Sequence, residues 1–287
     1  MTESVKRVTD DGSSATTRVA CCQLAPVLGE SAANRAATLA AIESAVEAGA
    51  RIVMLPELPV SGYVFADPVE ALALAEPVDG PTVTAWAEAA ARHDIVVVGG
   101  LCEAAPDGTL RNSSVLLDRS GLRAVYRKAH LWDAEKLFFT PGDAAPPVVD
   151  TPHGRIGMMI CYDLEFPEWV RKSALAGAEL LCAPVNWPVE PVPEAERPAW
   201  GAHIRVQAGA MANRLPIAVA DRAGRERGVD WIGGSVVVNA DGWPLVMAEA
   251  GTDATQILIA DIDLADSRDK QISERNDVHA DRRPWLY

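Results

Sequence analysis

The chain contains 287 residues and carries a formal net charge of −14 at neutral pH. Nucleic acids and anionic membrane surfaces bind basic protein faces, so this charge argues against both as partners. With 49% hydrophobic and 23% charged residues the composition is ordinary for a soluble globular protein, and the length suffices for one large α/β domain.

Apolar periodicity and turn residues divide the chain into strands and helices. Residues 1–17 are polar and aperiodic, which indicates a flexible tail, and residues 18–287 are expected to form a single domain. In chain order the predicted elements are a strand at 18–26, a helix at 32–48, a strand at 51–55, a helix at 81–93, strands at 95–102, 112–117, 122–126 and 155–160, a helix at 169–176, a strand at 179–183, a Pro- and Glu-rich surface loop at 190–197, a helix at 198–213, and strands at 217–220, 235–238, 245–247 and 256–261.

Strands that alternate with helices, together with a predicted hairpin at 112–126, indicate an α/β domain of layered architecture. In the helix at 198–213, the apolar residues Ile204, Ala208 and Met211 fall on one face. No internal repeat and no long linker divides the chain, which supports the single-domain interpretation.

The cysteines argue against disulfides and structural zinc. There are five, an odd number, with neither C-x-x-C spacing nor a Cys/His ligand cluster. Cys21, Cys22, Cys102 and Cys182 lie within predicted strands and are interpreted as core residues. The N-terminal residues lack the apolar core of a signal peptide, and no apolar run approaches membrane-spanning length. A reducing cytoplasm is therefore the predicted compartment.

Three reactive side chains each come directly after a predicted strand. Glu57, Lys128 and Cys161 follow the second, fifth and sixth strands in chain order. If these strands are neighbours that run in the same direction, the three side chains meet at one edge of a sheet. Each residue also has a simpler interpretation, because a free cysteine is commonly a small buried hydrophobe and charged residues at loop starts are commonly solvated.

Together the three residues would form a nucleophilic site. The carboxylate of Glu57 can act as general base toward the thiol of Cys161. The ammonium of Lys128 can stabilise both the thiolate and a developing oxyanion. The backbone N–H of Tyr162, just past the nucleophile, is the candidate second oxyanion donor.

Aromatic side chains lie in the loops beyond the same strand ends. Tyr63, Trp132 and Trp187, with Asn186 beside the last of them, are the predicted lining of a substrate pocket. Packing in a core is an equally common role for such aromatics. His130 is interpreted as a loop or hydrogen-bonding residue, since the five histidines show no metal-ligand spacing.

Motifs at separate places in the chain form a family pattern. The glutamate lies in LPELPVSGY at 55–63, the lysine in YRKAHL at 126–131 and the cysteine in CYDLEFPE at 161–168, with FFTPG at 138–142 between the last two. In this order the motifs resemble those of the nitrilase superfamily of carbon–nitrogen hydrolases. The resemblance extends over residues 18–287.

The resemblance implies a four-layer α-β-β-α sandwich and a homodimer or higher homo-oligomer, formed through the helices after the Cys161 and Trp187 segments. It also implies that Glu57 is the general base, Lys128 the oxyanion stabiliser and Cys161 the nucleophile. Glu135, where the family carries a second glutamate, would position Lys128 or assist the leaving group. The family needs no metal and no organic cofactor, and none is predicted for this chain.

The residues after Cys161 guide the choice of reaction. True nitrilases of the family usually continue with Trp-Glu, whereas amidase-like members commonly have Tyr-Asp, as in Tyr162-Asp163. The prediction is therefore hydrolysis of a small, aliphatic, uncharged amide to acid and ammonia through a thioester.

Several alternatives stay open beside the amidase. Within the superfamily they are a nitrilase and an N-carbamoyl-amide hydrolase. A carbamoylase would need a cation for the substrate carboxylate, and no arginine stands out in the sequence. A further alternative is a catalytically silent binding homologue, but such a protein would not need the intact Glu/Lys/Cys set. A thiol-redox protein is another alternative, but Cys161 has no resolving cysteine nearby in the sequence.

Overall fold

Sixteen β-strands and five α-helices form the part of the chain that the computed structural model describes, residues 16–189, 201–249 and 255–286. The strands are β1 (Thr17–Gln23), β2 (Ile52–Met54), β3 (Val96–Ala104), β4 (Leu110–Asp118), β5 (Gly121–Arg127), β6 (Val148–Thr151), β7 (Gly154–Met158), β8 (Leu180–Pro184), β9 (Ile217–Ala220), β10 (Arg225–Glu226), β11 (Val229–Asp230), β12 (Val236–Val238), β13 (Pro244–Met247), β14 (Gln256–Ile262), β15 (Gln271–Ser273) and β16 (Asn276–Asp277). The helices are α1 (Ser31–Glu47), α2 (Pro68–Leu74), α3 (Pro81–His93), α4 (Pro167–Leu175) and α5 (Gly201–Asn213).

Two sheets of six strands carry the fold. The first has the order β14-β1-β2-β3-β4-β5 and the second the order β13-β12-β9-β8-β7-β6. In each sheet three successive strands are parallel, β1 to β3 in the first and β7 to β9 in the second. Antiparallel strands extend both sheets on either side, and the β4–β5 pair confirms the predicted hairpin.

Alternation of side chains along the strands produces the layers. On β1, Val19 and Cys21 belong to the core between the two sheets, whereas Ala20 and Cys22 pack on the opposite face with α1 and α3. Buried residues of α4 and α5 cover the outer face of the second sheet. The chain thus forms the predicted four-layer α-β-β-α sandwich.

The outer face of α5 is apolar. Ile204, Ala208 and Met211 share this face, as the sequence indicates, but they are exposed in the single chain. The buried face carries smaller residues, among them Val206 and Ala210. The outer helix layer therefore leaves an apolar surface uncovered.

Six short elements of the fold are not apparent from apolar periodicity, namely α2, β6, β10, β11, β15 and β16. The short helix α2 begins at Pro68, where Asp67 caps it by accepting the backbone N–H groups of Val69 and Glu70 at 2.9 Å. Strand β6, in a segment predicted as loop, begins directly after Pro147 and pairs only with β7 at the sheet edge. All six are too short to show a clear hydrophobic period.

Some predictions fall at or beyond the limits of the described residues. The expected tail overlaps the first strand, because Thr17 already pairs with Ile262 in β14. Residues 1–15, the predicted loop at 190–197 and the predicted helix start at 198–200 lie outside the described residues. No described helix is long and apolar enough to cross a membrane.

The loop after β2 packs closely on β3, and this contact requires a glycine. A Cβ on Gly100 would lie 2.5 Å from the backbone nitrogen of Leu58 and 2.6 Å from Cα of Glu57. The N–H of Gly100 also donates to the carbonyl oxygen of Pro56 at 3.0 Å. The position of Glu57 therefore depends on the missing side chain at Gly100.

Gly100→Ala is expected to displace this loop and to lower the free energy of unfolding by about 1–3 kcal/mol, since a close-packed site does not absorb an extra methyl group. Urea denaturation followed by circular dichroism measures the loss. Gly209→Ala in α5 is the matched control, because its Cβ would meet Ile217 at 3.6 Å and Val170 at 3.7 Å, which is ordinary contact. That change should stabilise the helix by about 0.5–1 kcal/mol. Equal unfolding free energies for the two variants would contradict the packing argument.

Candidate active site

The side chains predicted to form the site come from both sheets. Glu57 follows β2 and Lys128 follows β5, which run in the same direction although β3 and β4 lie between them. Cys161 follows β7 in the other sheet. The condition that the three strands are neighbours in one sheet is therefore not met. The side chains meet across the sandwich, where the N–H of Glu57 donates to the carbonyl of Val185, after β8, at 3.4 Å.

Lys128 is buried between two carboxylates. Its Nζ donates to Oε1 of Glu57 at 2.8 Å and to Oε1 of Glu135 at 2.7 Å. The side chains of Lys128 and Glu57 are 0% exposed and that of Glu135 is 2% exposed. Glu135 lies in a 3₁₀ helix, Asp133–Leu137, and its Oε2 accepts the backbone N–H of Trp132 at 2.8 Å. One cation and two anions thus share a space closed to water.

Two further side chains complete this charge cluster. Asn112 of β4 donates Nδ2 to Glu57 at 2.7 Å and to Glu135 at 3.1 Å, and the hydroxyl of Tyr63 donates to Glu135 at 2.7 Å. Sequence patterns do not single out Asn112, although it begins a run of buried polar residues, to Ser114, within β4. Oε2 of Glu57 has no hydrogen-bond partner among the described residues and is the oxygen left for chemistry.

The cluster sets the protonation of its members. Burial raises the pKa of Glu57 to about 7, with Lys128 opposing and Glu135 adding to the shift. Burial alone would lower the pKa of Lys128. The carboxylates of Glu135 and Glu57 outweigh burial and hold this pKa well above its usual value. Burial and then the neighbouring carboxylates also raise the pKa of Tyr63. Near neutral pH Lys128 is a fixed cation and Tyr63 a neutral donor, while Glu57 can take up or release a proton.

Cys161 lies in an unusual backbone conformation. It has a φ of +44° at the start of the 3₁₀ helix Cys161–Glu165, and strained residues of this kind cluster at functional sites. Its Sγ donates to the carbonyl oxygen of Asn186 at 3.8 Å. Burial raises the pKa of the thiol well above its usual value and Glu57 adds to the shift, whereas Lys128 acts in the opposite direction. The resting group is a neutral thiol, and a thiol of this kind becomes nucleophilic only when a base takes its proton.

Asp163 joins the turn of the nucleophile to the loop after β5. Its Oδ1 accepts the backbone N–H of His130 at 3.1 Å and lies 2.7 Å from Nδ1 of the same residue. Its Oδ2 accepts the hydroxyl of Tyr126 at 2.7 Å and the N–H of Ile160 at 3.1 Å. His130 is thus the hydrogen-bonding loop residue that the sequence indicates. Because its partners come from both sheets, the buried carboxylate of Asp163 fixes the segment of Lys128 and the turn of Cys161 relative to one another.

Two adjoining cavities border the cluster and the thiol. The first, about 250 Å³ and here called the aromatic cavity, is lined chiefly by Tyr63, Phe65, Trp132, Phe138, Phe139 and Trp231. The second, about 380 Å³ and here called the cysteine cavity, has on its walls Trp132, Cys161, Tyr162, Glu165, Trp187 and Arg205. Asn186 lines both. Of the four predicted pocket residues, Trp132 and Asn186 line both cavities, Trp187 lines the cysteine cavity and Tyr63 lines the aromatic cavity.

The side-chain amide of Asn186 is buried and unsatisfied. Neither its Nδ2 nor its Oδ1 has a hydrogen-bond partner within the part of the chain that the structure describes. A buried polar group without a partner costs about 1–3 kcal/mol. An amide that faces both cavities in this state is placed to pair with a ligand that enters them.

Asp221, after β9, holds the loop that carries Trp187. Its carboxylate accepts the backbone N–H groups of Trp187 at 3.0 Å, Arg222 at 2.9 Å and Gly234 at 2.8 Å. Burial raises the pKa of Asp221 to about 7, while the three donors act against the shift. Nothing in the local sequence marks this residue, because its three partners lie in different loops.

Charged groups on the cavity walls include one that the sequence does not single out. Arg205 of α5 and Glu165 both line the cysteine cavity, with Arg205 Nη1 3.5 Å from Glu165 Oε1. An arginine in a helix far along the chain from Cys161 has no motif to mark it. No group of three or more His, Cys, Asp or Glu side chains among the described residues is arranged to hold a metal ion.

Comparisons with known proteins agree with this geometry. The family model of carbon–nitrogen hydrolases matches residues 18–271. A nitrilase of Pyrococcus abyssi is 34% identical over 271 residues, covering 94% of this chain and 98% of the relative. An (R)-stereoselective amidase of Pseudomonas sp. is 33% identical over 243 residues, or 84% of each protein.

A solved structure with the same fold carries a covalent adduct. It is a mutant of the amidase from Nesterenkonia sp. AN1, with the acetamide moiety of fluoroacetamide added to its active-site cysteine. The match to this amidase has a TM-score of 0.76 and a sequence identity of 26%, and it covers 96% of the present chain and 97% of the amidase. The chain therefore belongs to the carbon–nitrogen hydrolase family, within the nitrilase superfamily that its motifs resemble. It is an enzyme that hydrolyses carbon–nitrogen bonds.

Cys161 is expected to react with iodoacetamide about tenfold faster than Cys102 and Cys182, because it lines a cavity while the other two lie inside strands. The rate should rise with pH, since burial keeps the resting thiol protonated. Mass spectrometry of peptides after timed alkylation measures the three residues in one sample. Equal rates at all three would contradict a reactive role for Cys161.

Proposed function

We propose that this enzyme is a cysteine-dependent amidase that converts small amides to the acid and ammonia through a thioester. The observation that carries the proposal is the buried Glu57–Lys128–Glu135 cluster beside Cys161, whose thiol borders a cavity. A base, a fixed cation and a nucleophile in one water-poor site are the parts that acyl transfer needs.

Acylation begins with the thiol. Glu57, through its unpaired Oε2, takes the proton of Cys161, and the sulfur attacks the amide carbonyl. The ammonium of Lys128 and the backbone N–H of Tyr162 stabilise the oxyanion. The carbon–nitrogen bond then breaks, and the proton held by Glu57 passes to the departing ammonia. A thioester on Cys161 remains.

Deacylation uses the same groups in reverse order. Glu57 takes a proton from water, the resulting hydroxide attacks the thioester, and the acid leaves as the thiol regains its proton. Glu135 positions Lys128 throughout, because its Oε1 accepts hydrogen bonds from Nζ of Lys128 and from Tyr63. This role leaves Glu57 free to change its protonation during the cycle.

The cavities support a short acyl chain. The aromatic side chains of Tyr63, Trp132 and Trp187 favour methylene groups next to the carbonyl, and the unpaired amide of Asn186 suits the amide of the substrate. Asp163 favours the amide interpretation, as in the Tyr-Asp pattern of amidase-like members. Nitrile hydrolysis is the second candidate, supported by the similarity to the nitrilase of Pyrococcus abyssi.

The assembly and compartment are part of this proposal. The exposed apolar residues Leu175 of α4 and Ile204 and Met211 of α5 support a homodimer through the outer helix layer. All five cysteines are free and buried, which supports a reducing cytoplasm.

The purified protein is expected to release ammonia from short primary amides, and Cys161→Ala should lower the rate by more than about a thousandfold because the nucleophile is lost. An ammonia assay measures the rate, and circular dichroism checks that the variant is folded. Cys22→Ala, on the helix side of the first sheet, is the matched control and should retain activity. Undiminished turnover by Cys161→Ala would reject the mechanism.

The value of kcat/KM is expected to fall as the pH drops through about 7, because Glu57 must be deprotonated to act as base and its pKa is raised to that value. At pH values below this pKa, kcat/KM should fall by about tenfold per pH unit. Assays between about pH 5 and about pH 9 measure the profile. His130→Gln removes an imidazole beside the site and should leave the acidic limb in place. A profile without this limb in the wild type, or a limb lost in His130→Gln, would exclude Glu57 as the titrating base.

A further inference from the structure

The cysteine cavity combines apolar walls with one pair of opposite charges. Trp132, Trp187 and Ile232 supply apolar surface near Cys161, whereas Arg205 and Glu165 place a guanidinium and a carboxylate on the same wall. A substrate without charges has no use for such a pair. The pair therefore bears on which amides the cavity accepts.

Both charged groups retain unused hydrogen-bonding capacity. Among the described residues, Arg205 and Glu165 contact one another at 3.5 Å, which is too long for a good hydrogen bond. Their side chains are 45% and 34% exposed. A guanidinium has five N–H donors and a carboxylate can accept about four hydrogen bonds, so a ligand can bind to each without displacing the other.

We propose that Arg205 and Glu165 bind the zwitterionic head group of the substrate, with Arg205 pairing its carboxylate and Glu165 its ammonium. The substrates are then ω-amides of α-amino acids, in which a short methylene segment separates the head group from the amide. This inference rests on the amidase function proposed above and sharpens its substrate class. The chain next to the carbonyl is uncharged, and the far end carries both charges.

A zwitterion fits this pair better than either single charge. A carboxylate alone would satisfy Arg205 but would lie close to the carboxylate of Glu165. An ammonium alone would satisfy Glu165 but would lie close to the guanidinium of Arg205. A head group with both charges has a favourable partner for each. Asn186, with its unpaired amide at the junction of the cavities, is left to pair with the scissile amide at the other end.

The test compares four amides of matched chain length. Glutamine carries both charges, glutaramate carries the carboxylate only, 4-aminopentanamide carries the ammonium only, and pentanamide carries neither. Ammonia release should give glutamine a kcat/KM about tenfold or more above that of pentanamide, as charge-assisted hydrogen bonds contribute to discrimination. The two singly charged amides should not exceed glutamine.

Two neutral variants assign the charges separately. Arg205→Gln should lower kcat/KM for glutamine to or below the level of 4-aminopentanamide, because the carboxylate then faces Glu165 without a partner. Glu165→Gln should lower it to or below the level of glutaramate, and pentanamide, which reaches neither charge, should be unchanged in both. Arg275→Gln, an exposed arginine between β15 and β16, is the control for loss of a positive charge and should change none of the four values.

The outcomes separate this inference from the amidase function. If pentanamide is hydrolysed as well as glutamine, or if Arg205→Gln slows all four amides equally, the head-group site is overturned while the amidase function stands. If no amide releases ammonia, the amidase function fails, and calorimetric titration of Cys161→Ala with the same four compounds decides the rest. Binding that favours glutamine supports the head-group site, and equal or absent binding rejects it.

Discussion

The site depends on one constraint, which is that a lysine must stay charged where water does not reach. Moving an ammonium out of water costs several kcal/mol, and Lys128 offsets this through hydrogen bonds of 2.8 and 2.7 Å to two carboxylates. Burial is the main cause of the raised pKa of Glu57, since Lys128 opposes the shift more strongly than Glu135 adds to it. The burial that makes two carboxylate partners necessary for Lys128 therefore also gives Glu57 its affinity for a proton.

Three buried acids each hold one part of the site. Glu135 holds Lys128, Asp163 holds the turn of the nucleophile, and Asp221 holds the loop with Trp187. Each accepts hydrogen bonds from segments that are distant in sequence, so the bonds that satisfy the acid also fix the loops. Removing one partner from such a group leaves a buried charge uncompensated, which costs about 3–5 kcal/mol in known cases.

The sequence is informative where local pattern decides the structure. Strands such as β3 and β8 are buried on both faces and read as continuous apolar runs, and the motif residues at strand ends identify Glu57, Lys128 and Cys161. Helix α2 and strand β6 are too short to show a period. The assignment of strands to two sheets depends on packing between distant segments. Site residues from other elements, Asn112 of β4 and Arg205 of α5 among them, carry no local signal.

The division of the reacting groups between two sheets has a mechanical consequence. Glu57 and Lys128 follow strands of one sheet and Cys161 follows a strand of the other, so the proposed chemistry requires that the inner faces of the sandwich stay in register. A substrate that contacts groups from both sheets binds only when the sheets are in register, and such binding stabilises the folded form by mass action. A small sliding of one sheet over the other would separate nucleophile from base while every helix and strand remained intact. Catalytic activity therefore reports a shift between the two sheets more sensitively than the content of helix and strand does.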